Sequence, residues 1–162
     1  MSFTLHGPAL WYATRATGLV TLLLLTGTML LGIVTAGRFA SEKWPRFLTV
    51  GLHRNLTLLV LIFLALHVGT TVVDTYTSIP ATAAVIPFVS SYKSPWLGLG
   101  AVAADLLIAV LVTSLLRNRL GFRAWRGLHW LAYACWPVAL IHGLGTGTTR
   151  GSGAPLRRRR RR

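Results

Sequence analysis

Four windows of this chain, residues 16–37, 55–73, 97–116 and 127–147, are apolar over the ~20 residues a helix needs to cross a bilayer core. Asp105 is the only formal charge inside any of them. Hydrophobic residues make up 53% of the 162 and charged residues 12%, with a mean hydropathy of +0.59. A soluble domain of this size has no core large enough to hide so much apolar surface, so lipid is the expected solvent. The chain reads as an all-α membrane protein, a bundle of about four transmembrane helices, multi-pass in the cell membrane.

The first window is too long for a signal-peptide core, no basic segment precedes it, and its positive charges follow it, so it reads as a retained helix. Residues 79–90 are apolar but too few to span, and Pro80 and Pro87 interrupt them. An interfacial or re-entrant loop capping one end of the bundle is expected there.

Short cytoplasmic loops are rich in Lys and Arg. The first loop carries Arg38, Lys43 and Arg46 against Glu42, and the third carries Arg117, Arg119, Arg123 and Arg126. Both are placed on the cytoplasmic side, which puts the second loop, with Asp74 and Lys93, and both termini outside. Arg150 and the run 157–162 run against the usual bias in that arrangement, but they lie beyond the last span. The chain thus divides into a four-helix transmembrane domain, 1–149, and a disordered Arg-rich tail, 150–162. Seven arginines of the +14 formal charge sit in that tail and the others rim the membrane, a pattern for anionic lipid headgroups rather than nucleic acid. Cys135 is the one cysteine, so no intrachain disulfide and no CxxC motif exists.

Histidine placement is the informative chemical feature. His53 and His67 fall on the second helix, and His129 and His142 on the fourth. Strongly polar side chains inside a membrane face a cavity, a partner or a cofactor. The first pair is 14 residues apart, about 21 Å along a helix and within about 40° of one face; the second is 13 apart, about 19.5 Å. The depths match. The faces do not, because a 13-residue step on a straight helix misses by about 140°, and only Pro137 offers a kink to correct it. The two helices run in the same direction, so His53 shares a level with His129, and His67 with His142. Neutral imidazole is a standard axial ligand of haem iron, and two bis-histidine haems b would make an electron path across the membrane. The competing reading has the histidines hydrogen-bonding between helices. Zinc or a di-iron centre fits less well, since no carboxylate accompanies either pair.

These residues carry a family resemblance. The 14- and 13-residue histidine spacings, Arg15-Ala16-Thr17-Gly18 at the start of the first span, Thr113-Ser114-Leu115-Leu116-Arg117 leading to Trp125-Arg126 and His129, and Ile141-His142-Gly143 with Gly145-Thr146-Gly147 all belong to it. Over residues 11–149 the chain resembles the ferric reductase-like transmembrane domain shared by NADPH oxidases, metalloreductases and the haem subunit of a bacterial methionine sulfoxide reductase system. The resemblance implies an oxidoreductase-type haem electron conduit, with His53 and His129 on the cytoplasmic-side haem and His67 and His142 on the outer one. It also implies a flavin or nicotinamide electron source inside. Larger members often have six spans and an attached flavin or nucleotide domain, so here the donor is expected to be a separate flavoprotein or a quinol.

Arg54, beside His53, and Arg126, three residues before His129, are candidates to meet haem propionates; Arg15 is a candidate to serve the outer haem or an anionic acceptor. Snorkelling to headgroups accounts for each equally well. Asp105 is expected to be protonated or paired, most simply in a structural hydrogen bond. His6 reads as an ordinary exposed histidine. Trp11, Trp44, Trp96, Trp125 and Trp130 mark span ends, while Trp136 lies deeper and is read as packing. Two other functions fit the same pattern: a non-redox membrane adaptor or anchor, and a quinol- or hydrogenase-linked cytochrome b subunit.

Overall fold

The computed structural model describes residues 8–37, 44–74 and 79–147. His6, Glu42, Lys43 and the Arg-rich tail lie outside these. The elements are α1 (Pro8–Ala36), α2 (Arg46–Val73), a 3-10 turn (Ala81–Ala84), α3 (Ser94–Leu115), α4 (Arg117–Leu120), α5 (Phe122–His129) and α6 (Leu131–Gly147). All regular elements among the described residues are helical.

Three helices, Ala9–Ala36, Arg46–Val73 and Ser94–Leu115, are long and apolar enough to cross a membrane. The first two start before their apolar windows because backbone hydrogen bonding continues through Arg15 on α1 and through Arg46, His53 and Arg54 on α2, which the windows exclude. Thus α2 starts straight after Pro45, whose fixed φ of −68° leads into a first turn, and takes in Arg46, His53 and Arg54. The fourth window departs from the expected single span. It is divided at Trp130 into α5 and the 17-residue α6. There the Trp130 N–H bonds Gly127 O at 3.2 Å and the Tyr133 N–H bonds Trp130 O at 3.0 Å, both 3-10 steps. Each residue in such a turn rotates the chain about 20° further than in an α-helix, which is the direction needed to bring His129 and His142 towards one face. Pro137 lies inside α6.

The helices pair in two hairpins. α2 packs along α1, α6 along α3, and α1 joins them through α6, whereas no Cα of α2 comes within 8 Å of a Cα of α3, α5 or α6. Buried positions are small, among them Ala101, Ala103, Ala104 and Cys135, while Leu19, Leu23, Leu30, Ile62, Leu66 and Ile108 stand exposed. That inversion of a soluble protein's pattern suits lipid, where close backbone approach rather than apolar burial holds helices together. Polar links cross the seams: the Cys135 thiol donates to Ala103 O at 3.3 Å, and Trp136 Nε1–H donates to Thr26 Oγ1 at 2.9 Å. Trp136 therefore packs and bonds between α6 and α1.

On the α3–α6 seam Gly145 lies against the Trp96 ring, where a Cβ would overlap it. Gly145→Ala is expected to push Trp96 aside and lower stability by about 1–3 kcal/mol, seen as an earlier thermal unfolding transition in detergent.

Residues 79–90 form the expected cap, touching α2 and α3 through the 3-10 turn. Ile79, Ala83 and Ser90 face inward, and Val85, Ile86, Phe88 and Val89 are exposed. Lys93 at φ 43° turns the chain into α3, with Pro95 in its first turn.

Candidate cofactor site

Across the gap between α2 and the α5–α6 segment, the four span histidines meet in two pairs. The ring centroids of His53 and His129 are 6.3 Å apart at 64°, and those of His67 and His142 are 6.3 Å apart at 76°. The pairing by level is the one the spacings predict, and the 3-10 turn at Trp130 rotates the chain in the direction that reduces the angular mismatch of a straight helix.

Three of the rings are oriented by a helix carbonyl. Nδ1 of His67 lies 2.9 Å from Thr14 O, that of His53 lies 3.0 Å from Thr28 O, and that of His142 lies 2.7 Å from Trp96 O. A carbonyl only accepts, so Nδ1 carries the proton and donates in each case. Nε2 of each ring then keeps a free lone pair, directed away from the helix that holds the ring. This is the arrangement by which a protein fixes the tautomer of a ligating imidazole and raises its basicity.

Glycine makes the approach feasible. A Cβ on Gly18 would stand 2.8 Å from His67 Cε1, one on Gly100 2.6 Å from His142 Cε1, and one on Gly32 3.5 Å from His53 Cε1. Each of these glycines follows the accepting carbonyl by four residues, because the Cβ of a helical residue lies over the turn before it. The same device occurs three times: carbonyl at one position, glycine four later, imidazole seated above. On α1 the two copies are 14 residues apart, matching the 14 between His53 and His67 on antiparallel α2. The sequence holds this signal as Thr14–Gly18 and Thr28–Gly32, legible only once the partner helix is known.

His129 is the exception. Its Nδ1 is buried without a hydrogen-bond partner. Its ring instead lies 5.1 Å from that of Trp125 at 31°. Trp125 Nε1–H in turn donates to Ser114 Oγ at 3.3 Å, and the Arg117 guanidinium sits 5.2 Å from its ring.

Two imidazole nitrogens bound to one metal ion at about 2 Å each, with ring radii on the order of 1 Å, put ring centroids about 6 Å apart. Both pairs meet that requirement. Among the described residues no third His, Cys, Asp or Glu joins either of them.

A sequence profile described as "Ferric reductase like transmembrane component" matches residues 17–143. The chain belongs to that family. No curated protein and no solved structure matches it. Ferric reductase-like transmembrane components generally bind haem and work with separate electron donors, and membership gives this chain a membrane redox, electron-transfer role in general terms.

Within this ferric reductase-like frame the arginines sit apart from the rings. Arg15 donates to Thr146 O at 3.3 Å and stacks 4.2 Å over Trp11, four residues past His142 on the neighbouring helix. Arg54 is exposed and lines an open recess with Arg46, Phe47, Val50 and Gly51; Arg126 is exposed on α5. Asp105 is half-buried on α3 and makes no hydrogen bond among the described residues, in place of the expected structural one.

Proposed function

We propose that this protein is a transmembrane haem b electron-transfer subunit that spans the cell membrane several times and carries two haems. His53 and His129 hold the inner haem, and His67 and His142 the outer one. The observation that supports this best is the pair of 6.3 Å imidazole couples, three of their four rings oriented by carbonyls so that Nε2 is free. Two imidazoles alone leave a metal ion short of ligands, whereas a porphyrin brings its own four nitrogens and needs only axial partners. When bound, haem supplies a one-electron ferric/ferrous couple.

The chain's own residues do the rest. The carbonyls of Thr14, Thr28 and Trp96 orient the ligands and raise their donor strength. Each level offers two histidines to a haem, a residue set that would suit electron passage rather than chemistry on a bound substrate. Two sites at different depths divide the bilayer into shorter steps. Arg54 and Arg126 neutralise propionates on the inner side, and Arg15 lends positive charge to the outer level. A separate cytoplasmic-side donor, a flavoprotein or a quinol, would supply electrons on the His53–His129 side, and an extracytoplasmic acceptor would take them on the His67–His142 side. The Arg-rich segment 150–162 provides charge for anionic lipid headgroups.

Purified from haem-sufficient cells, the protein is expected to contain two haems b per chain by pyridine haemochrome assay, with low-spin bands in the reduced spectrum. A colourless preparation would overturn the proposal and leave a membrane adaptor as the reading.

A further inference from the structure

The carbonyl-and-glycine seat occurs at three of the four histidines, and its absence at the fourth has chemical consequences. A 14-residue step along α3 from Trp96 and Gly100, like the step on α1, arrives at Val110 and Ser114. At that level the seat is altered. Ser114 replaces the glycine, its hydroxyl accepts from Trp125, and the Thr113 hydroxyl donates to Ala109 O at 2.7 Å and to Val110 O at 3.1 Å. His129 Nδ1 is left buried with no acceptor. The backbone around it is also less constrained: His129 is the last residue of an eight-residue helix, directly before the Trp130 break, and a Cβ on Gly127 would meet nothing within 4 Å.

What holds the ring is Trp125, one turn earlier on the same face, itself tied to α3 through Ser114. Stacking restrains the plane of an imidazole but neither selects its tautomer nor strengthens its donor nitrogen. A hydrogen-bonded outer partner does both, and losing one costs roughly 10–100-fold in metal affinity.

We propose that Trp125 is the positioning residue of His129, standing in for a backbone acceptor, and that the His53–His129 level consequently holds its haem less tightly than the His67–His142 level. The inference rests on the two-haem reading above. It gives the two sites different characters: a firmly built outer station and an inner one whose ligand is adjustable from the Trp125–Ser114 contact.

The test is haem transfer from the purified, haem-loaded protein to excess apomyoglobin, followed optically. Two phases of equal amplitude are expected, the fast one at least about tenfold quicker than the slow. The fast phase should be absent from His53→Ala protein and should be the only one in His67→Ala protein. Trp125→Ala should accelerate the fast phase further and leave the slow one unchanged, with Trp125→Phe, which keeps an aromatic face, restoring most of the difference. A shift in the low-temperature EPR signal of one haem in Trp125→Ala protein gives a second readout. A single phase in the wild-type protein, or a fast phase that survives His53→Ala, would overturn the inference while leaving the two-haem assignment intact. Fewer than two haems at the outset would count against that assignment instead.

Discussion

His67→Ala protein is expected to retain one haem of two and to lose electron delivery to an acceptor on the outer face. His67 and His142 face each other at 6.3 Å, and each is seated on a different hairpin, His67 on Thr14 O of α1 and His142 on Trp96 O of α3. Removing His67 would leave only His142 to hold the outer haem and would take the imidazole donor from Thr14 O, which keeps the Thr17 hydroxyl at 3.1 Å. The inner pair, His53 on α2 and His129 on α5, keeps every contact it has. The haem-to-protein ratio should therefore fall from two to one, with the remaining spectrum still low-spin, and reduction from the inner side should stop at the inner haem. Ile62→Ala is the matched control: Ile62 is exposed on α2 between the two histidine levels, so both haems should remain. Two haems in His67→Ala protein would refute the pairing.

Adding one methyl group should separate the glycines. Gly100→Ala places a Cβ 2.6 Å from the His142 ring and Gly18→Ala one 2.8 Å from His67, both well inside van der Waals contact. The rings cannot yield freely, because each is tied by Nδ1 to a carbonyl one turn away. Either substitution is expected to weaken retention of the outer haem by about 10–100-fold, alongside an overpacking cost of about 1–3 kcal/mol. Gly32→Ala, at 3.5 Å from His53, should be tolerated, and Gly69→Ala, with nothing within 4 Å, should be silent. Haem retention on dilution into detergent is the measurement. Equal loss from all four variants would mean that clearance beside the rings has no part in binding.

Hydropathy marks what lipid requires, and so the apolar helices of the bundle were legible in advance. The matching 14- and 13-residue spacings also carried the pairing of His53 with His129 and His67 with His142. Three things were not legible. The division at Trp130 depends on local 3-10 hydrogen bonding, which apolar composition does not encode. The seats at Thr14, Thr28 and Trp96 use backbone carbonyls, which every residue possesses, so no residue type announces them. Gly18 belongs to the family resemblance, but Gly32 and Gly100 are ordinary small residues of a membrane helix until the antiparallel register places an imidazole above them. Asp105 shows the converse: an isolated carboxylate in an apolar window suggested a structural hydrogen bond, and the neighbouring turns supply none.

The separation of α2 from α3, α5 and α6 bears on assembly. Contact between the two hairpins runs mainly through α1 and α6. In the proposed holoprotein each haem is gripped by one imidazole from either hairpin, so the pigment acts as a rivet. Iron porphyrin supply would then govern maturation of the fold itself, and a cell starved of it would be left with a hinged pair of hairpins open along one seam.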